Sequence, residues 1–467
     1  MANGFSTNCL YGDGKKFEKD LTGAISFPIY QTATYAHPEV GKSTGFDYSR
    51  LQNPTKQHVE EIVSSLEEGV DALAFSSGMA AITTLMELFK PGDHLITDAD
   101  LYGGSIRLFD HVNEKNGITF SHIDCSSEDI ESYFRPETKA IYIETPTNPM
   151  MNVVDIRKTA KIAKAHNLLL IVDNTFLSPY FQKPLTLGAD IVIHSGTKFL
   201  GGHNDTLAGF IVVNSTELSE KFRFLIKTVG SGLAPLDSWL IARGIKTLPL
   251  RMEKAQANAQ EIVKFLQTQP KIKKIYYPGI EGSKGYEICK SQATGFGSML
   301  TFETESKELA LHILKSTKLI PFAESLGGTE TLLTYPTTQT HADVPEEVRL
   351  KNGITDSVLR IFDFKNISEY IKDLYQIPAF AKHTDFAKII NKPEEDERVR
   401  PSTHYDLALP RIDFGAQWKV ATTRAYLSED PTHPIYLANN RRFDLDPTWY
   451  DLAAESNNKP SSSCCCG

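Results

Sequence analysis

Between about residues 57 and 250 the chain alternates short apolar, β-branched runs with longer stretches whose apolar positions recur at helical spacing. The short runs predict strands at His94–Thr97, Ala140–Glu144, Leu168–Val172, Asp190–His194 and Gly209–Val213. Amphipathic pieces such as Asp155–His166 lie between them, and Ser76-Ser77-Gly78-Met79-Ala80-Ala81 opens a helix behind a short apolar run. Strands alternating with helices predict an α/β fold with a mostly parallel sheet covered on both faces. In such sheets ligands gather beyond the carboxyl ends of the strands. Glu144, Asp173 and Ser195 fall at such ends.

The pattern changes on either side. Residues 251–376 predict a smaller α+β region, with a helix over Arg251–Gln269 and strands near Ser298–Phe302 and Leu359–Ile361. Residues 1–56 are polar and irregular, with the aromatic-rich stretch Gly45-Phe46-Asp47-Tyr48-Ser49-Arg50. Residues 377–467 hold 8 of the 24 prolines, together with Trp418, Trp449 and the acidic run Glu394-Glu395-Asp396-Glu397. Those aromatics weigh against a wholly disordered segment, so it is expected to wrap over the domain before it. The chain is thus divided into an N-terminal arm (1–56), a large domain (57–250), a small domain (251–376) and an extension (377–467).

Composition narrows the function classes. With 41% hydrophobic residues, 23% charged residues and a net charge of −9, the chain is ordinary for a soluble protein. Nothing in it favours nucleic acid or an anionic membrane as a partner. No apolar run reaches the length of a bilayer span, and the N-terminus lacks the basic and apolar regions of a signal peptide. Cys9, Cys125 and Cys289 are scattered, and Cys464, Cys465 and Cys466 sit together. That is neither a disulfide framework nor a zinc spacing, and a cytoplasmic location is expected. The terminal cysteines also lack the C-a-a-X form, and they read as a plain tail.

The candidate chemistry centres on Lys198. The run Asp190-Ile191-Val192-Ile193-His194-Ser195-Gly196-Thr197-Lys198 is an apolar strand that breaks into Ser, Gly and Thr before a single lysine. The preceding strand stops at Asp173. A lysine and an acid at neighbouring strand ends suit pyridoxal phosphate (PLP): the lysine links to its aldehyde, and the acid pairs with its ring nitrogen. Ser195 and Thr197 can hydrogen-bond a phosphate, and the small residues Ser77 and Gly78 expose amides at a helix start. Arg50 can grip a phosphate bidentately, and Tyr102, beside two glycines, can stack on a flat ring. His194, His203 and Asp205 belong to a glycine-rich loop and are read without a metal, and His341 reads as a structural histidine near the site mouth.

Six motifs in order resemble the Cys/Met-metabolism family of PLP enzymes, which holds cystathionine synthases, cystathionine and methionine lyases, and homoserine sulfhydrylases. They are Tyr48-Ser49-Arg50, Ser77-Gly78-Met79-Ala80-Ala81, Glu144-Thr145-Pro146-Thr147-Asn148-Pro149, Val172-Asp173-Asn174-Thr175, Ser195-Gly196-Thr197-Lys198 and Glu324-Ser325-Leu326-Gly327-Gly328. The resemblance covers about residues 5–361. It implies the aspartate-aminotransferase type of fold (fold type I), with a mostly parallel central sheet and a smaller C-terminal α+β domain.

The resemblance also implies roles. Lys198 would hold PLP and shuttle protons between substrate carbons, and Asp173 would pair with the pyridine nitrogen. Gly78, Met79, Ser195 and Thr197 would bind the phosphate, with Tyr48 and Arg50 reaching in from a neighbouring subunit. Tyr102 would stack on the ring and assist proton transfer, and Asn148 would bond near the ring hydroxyl. Ser325 and Arg360 would hold the α-carboxylate of an amino-acid substrate. A site shared between subunits implies a dimer within a homotetramer.

A few positions bear on the reaction. Methionine lyases usually carry a cysteine where this chain has Gly104. Glu324 resembles the synthases and γ-lyases, where it can meet a distal amino group. Tyr102-Gly103-Gly104-Ser105-Ile106-Arg107 resembles the bacterial synthases, and Ser43-Thr44-Gly45-Phe46-Asp47-Tyr48 those of Gram-positive bacteria, some of which also use sulfide. The expectation is γ-replacement on an O-acylated homoserine by cysteine. The alternatives are γ- or β-elimination to a 2-oxo acid and ammonia, and an inactive binding protein on the same fold. Where the family continues Ser-Val-Gly-Ile-Glu after Leu359-Arg360-Ile361, this chain has Phe362-Asp363-Phe364-Lys365. A closing helix is expected at Asn366 to Tyr375.

Overall fold

The computed structural model describes residues 4–12 and 23–362. The expected closing helix and the extension lie outside the described residues.

Helices α1 (Phe5–Tyr11) and α2 (Pro54–Glu67) precede strand β1 (Asp71–Phe75). There follow α3 (Gly78–Met86), β2 (His94–Asp98), α4 (Gly103–Leu108), β3 (Thr119–Ile123), β4 (Thr138–Glu144) and α5 (Ile156–Ala165). Next come β5 (Leu169–Asp173), the one-turn α6 (Ser178–Phe181), β6 (Ile191–Ser195) and β7 (Gly209–Val213). Helices α7 (Thr216–Val229), α8 (Pro235–Ile245) and α9 (Leu248–Gln267) lead to β8 (Ile272–Tyr276), α10 (Tyr286–Gln292) and β9 (Met299–Thr304). The described chain closes with α11 (Lys307–Ser316), β10 (Leu332–Thr334), α12 (Glu346–Lys351) and β11 (Val358–Phe362).

The first seven strands form one sheet in the order β1-β7-β6-β5-β4-β2-β3. Only β7 runs against its neighbours, so the sheet is mostly parallel, as expected. Both faces are covered. On one, Leu73, Tyr142, Ile171 and Ile193 meet Ile82 and Leu85 of α3 and Phe222 of α7. On the other, Ala74, Val192 and Val212 meet Val59 and Val63 of α2, Ile241 of α8 and Met252 of α9. The remaining strands make a four-stranded antiparallel sheet, β10-β11-β9-β8.

Local chemistry explains the boundaries. Asp155 accepts from the Lys158 amide and so caps α5, placing the helix one residue inside the predicted span. Helix α9 starts before Arg251 because Pro249 suits the first turn, where no amide partner is needed. The arm is less irregular than its composition predicts. Phe5–Tyr11 is helical, with Cys9 buried under α2.

Candidate active site

The strand ends build the floor. Register pairs Glu144 with Asp173 and Asp173 with Ile193, so Tyr142, Glu144, Asp173, Ile193 and Ser195 share one face. Beyond β6 the chain turns sharply: the Lys198 amide donates to the Ser195 carbonyl and the Gly201 amide to that of Gly196. This turn delivers Lys198 over the floor. Helix α3 points its N-terminus at the same place, with Ser77 Oγ capping the Ala80 amide at 3.0 Å. The first amides of a helix have no intrahelical partner, which leaves those of Gly78 and Met79 for an anion. The backbones there crowd closely: a Cβ on Gly209 would stand 2.1 Å from the Ser77 carbonyl oxygen.

The small sheet supplies the facing wall. Arg360 sits inside β11, between Thr301 and Thr334 on the adjacent strands. It is 1% exposed and donates to Asn148 Oδ1 at 2.5 Å and to Thr334 Oγ1 at 3.2 Å. No carboxylate lies within ion-pair distance of it among the described residues. Phe362, in the stretch that departs from the family pattern, is buried and packs edge-on against Phe199 at 5.3 Å between ring centres. Arg360 therefore keeps a firm seat through its strand partners.

These elements enclose a cavity of about 310 Å³. It is lined by Gly78, Met79, Tyr102, Asn148, Asp173, Ser195, Thr197, Lys198, Glu324, Ser325 and Arg360, so eleven of the residues expected from sequence meet in one place. Tyr48 and Arg50 do not line it. Tyr48 is 44% exposed, and the Arg50 guanidinium stands 5.6 Å from its ring centre and donates to the Lys227 carbonyl.

The electrostatics suit an anionic ligand and a proton carrier. Burial, with Arg360 nearby, pulls the Lys198 amine down to about 8, against the opposing effect of Glu324. Its Nζ donates to Ser325 Oγ at 2.9 Å. Ser325 holds a φ of 96°, a conformation that favours glycine, which marks a position set by its surroundings. Burial pushes the Asp173 carboxyl up, although the Thr175 amide and hydroxyl donate to it at 3.0 and 2.6 Å. Burial pulls Arg360 down to about 10, while Glu144, Tyr102 and Glu324 act the other way.

Several residues of the site carry roles that the sequence alone did not assign. Glu144 lines the cavity and takes the Tyr102 amide at 3.0 Å, fixing the turn on which the tyrosine stands. Thr175 orients Asp173, and Thr334 orients Arg360. Glu144 was legible in principle from its place at the end of β4, whereas Thr334 is joined to Arg360 only by sheet pairing. Gly104 gains a reason here: a Cβ on it would stand 2.4 Å from Tyr102 Cε1, so the ring lies where a cysteine would intrude. His194 pairs with Glu67, and His203 Nδ1 bonds the Gly201 carbonyl at 2.8 Å. His341 is buried, bonds the Leu101 carbonyl, and is pulled down to about 4 by burial.

The family model described as Cys/Met metabolism PLP-dependent enzyme matches residues 7–377. The chain belongs to this family. It is a PLP-dependent enzyme of sulfur amino-acid metabolism with fold type I architecture. It is 52% identical over 342 residues to the cystathionine γ-synthase/O-acetylhomoserine (thiol)-lyase of Bacillus subtilis (strain 168), covering 73% of this chain and 87% of that protein. The cystathionine γ-lyase of the same organism is 49% identical over 359 residues, covering 76% and 95%. The structure of cystathionine γ-lyase from Lactobacillus plantarum complexed with L-serine superposes with a TM-score of 0.78 at 42% identity, covering 82% of this chain and 99% of that one.

The residues present fit the family's cofactor. The floor offers a buried acid at Asp173, and the α3 start with Ser195 and Thr197 offers amides and hydroxyls around the same cavity. No described helix is long and apolar enough to cross a membrane.

Proposed function

We propose that this enzyme catalyses γ-replacement on an O-acylated homoserine by cysteine, forming the Cγ–S bond of cystathionine and breaking the Cγ–O bond to release the carboxylic acid. The observation that carries the reading is one cavity that holds Lys198, Arg360 and Glu324 together. The 52% identity to a γ-synthase/thiol-lyase supports it. When bound, PLP supplies an electron sink that stabilises negative charge on the substrate's α-carbon.

In this reading Lys198 would hold PLP covalently, and its amine would carry protons between the α- and β-carbons of the substrate. An amine near 8 can both accept and return a proton close to neutral pH. Asp173 would pair with the ring nitrogen, while Gly78, Met79, Ser195 and Thr197 would hold the phosphate. Tyr102 would stack on the ring and assist proton transfer, and Asn148 would bond near the ring hydroxyl. Arg360, buried and without an ion-pair partner among the described residues, would receive the α-carboxylate together with Ser325. Glu324 meets the distal ammonium of the incoming amino acid.

Tyr48 and Arg50 stand away from their own chain's cavity, which supports their completing a neighbour's site in a dimer of dimers. The three described cysteines are free and buried, which supports a cytoplasmic setting. The two sheets, β1 to β7 and β8 to β11, support a large domain followed by a smaller one, while residues 56 and 250 themselves fall inside α2 and α9.

A second reading, elimination to a 2-oxo acid and ammonia, is favoured by the 49% identity to a γ-lyase. Mass spectrometry of products from O-acetylhomoserine, with and without cysteine, separates the two. Cystathionine formed only when cysteine is present supports replacement. 2-Oxobutanoate as the main product in both tubes would overturn it in favour of elimination.

A further inference from the structure

Behind the floor, on the opposite face of the sheet, lies a buried polar cluster that the chemistry above does not use. Glu67, at the end of α2, is 0% exposed. Its Oε1 accepts from His194 Nε2 at 2.6 Å and from Asn174 Nδ2 at 2.9 Å, both also fully or almost fully buried. Its Oε2 has no hydrogen-bond partner among the described residues. Asn174 exchanges further bonds with Gln182, through its Nδ2 to the Gln182 carbonyl at 2.8 Å and from Gln182 Nε2 to its Oδ1 at 3.0 Å. Gln182 Nε2 also donates to the Thr145 carbonyl at 3.0 Å, in the loop that carries Asn148.

Position in the chain gives this cluster its meaning. Asn174 follows Asp173, and His194 precedes Ser195. Strand alternation sends Ser195 to the cavity face and His194 to the other. Two ends that must hold a ring nitrogen and a phosphate are therefore gripped from behind by one carboxylate. A buried carboxylate with an oxygen left over is costly, and an apolar residue in its place would leave the buried His194 and Asn174 donors without a partner.

We propose that Glu67 is a positioning residue: by accepting from His194 and Asn174 it holds the ends of β6 and β5 at the spacing the cofactor needs. This rests on the reading that Asp173 meets the ring nitrogen. The grip acts through acceptor geometry, so a neutral acceptor of the same shape should serve. Neither of its two partners is a partner of Arg360, so substrate affinity should not depend on it.

The test is an absorbance titration of cofactor-free protein with pyridoxal 5′-phosphate, together with KM and kcat at saturating cofactor, for Glu67→Leu and Glu67→Gln. Glu67→Leu should weaken cofactor affinity about tenfold and lower kcat with KM unchanged, the scale of a lost buried hydrogen bond. Glu67→Gln should restore wild-type affinity. Wild-type affinity in Glu67→Leu would overturn the proposal, as would a Glu67→Gln as weak as Glu67→Leu. Should Glu67→Leu fail to fold, Asn174→Ala decides: weaker cofactor binding with KM unchanged supports the proposal, and unchanged binding overturns it. An Asp173→Asn control separates the two readings. If it too binds cofactor normally, the site assignment fails; if it alone loses cofactor, only the role of Glu67 does.

Discussion

The turn beyond β6 and the centre of the small sheet each deliver one cation to the same cavity, and they hold it in opposite ways. Lys198 stands on a turn and, among the described residues, makes a single side-chain hydrogen bond, to Ser325. Arg360 stands inside a strand paired on both sides and is tied to Asn148 and Thr334. The contrast matches what each group is asked to do. A proton carrier must let go of its partner and swing, so one bond on a turn suffices. A carboxylate clamp gains from immobility, since a planar guanidinium already fixed in place loses little entropy when the ligand arrives.

The largest effect is expected at the movable cation. Lys198→Ala should abolish the yellow colour of the holoenzyme and lower turnover by about 10⁴-fold, measured by product formation at saturating cofactor. Retained colour would mean that another lysine holds PLP. At the fixed cation, Arg360→Lys keeps the charge and loses the planar fork. It should raise KM by about 10- to 100-fold, the cost of trading a paired grip for a point charge. The colour should be untouched, and its loss would show that Arg360 serves the cofactor as well.

The difference can also be sharpened by pH. Burial and Arg360 pull Lys198 from the ordinary 10.5 to about 8, so its neutral, reactive form dominates only above that value. Cofactor uptake by cofactor-free protein should therefore speed up as pH rises toward about 8 and level off beyond it. A stopped-flow series that stayed flat from acid to neutral pH would contradict this. The linked stability effect lies in the window above it. Between about 8 and 10.5 the unfolded chain keeps the proton and the native pocket does not, so native stability rises with pH there.

The smallest effect concerns the ring beside the two cations. Gly104→Ala places a methyl group 2.4 Å from Tyr102 Cε1 and must displace the ring. Turnover should fall about tenfold, with the cofactor still bound, since Tyr102 shifts while Lys198 and Asp173 do not. Unchanged steady-state kinetics would mean that the ring's position does not matter to the reaction.

The parts of the site that were legible in the chain are those written locally. An apolar run that breaks into Ser195, Gly196 and Thr197 announces a strand end and a turn, and a run that ends on Asp173 announces the acid beside it. The parts that were not legible depend on pairing across distance. Strand β8, Ile272–Tyr276, reads Ile-Lys-Lys-Ile-Tyr and stands at an edge with two exposed lysines, so it lacks the apolar signature of its neighbours. Strand β1, Asp71–Phe75, is rich in Ala and Leu and reads equally well as helix. The grip of Glu67 on His194 joins residues 127 apart in sequence, and no local pattern marks it.

The most direct measurement is borohydride reduction of the holoenzyme, followed by proteolysis and mass spectrometry of the cofactor-bearing peptide. The account predicts a single labelled peptide, with the cofactor on Lys198. A label on any other lysine, or none at all, would contradict it.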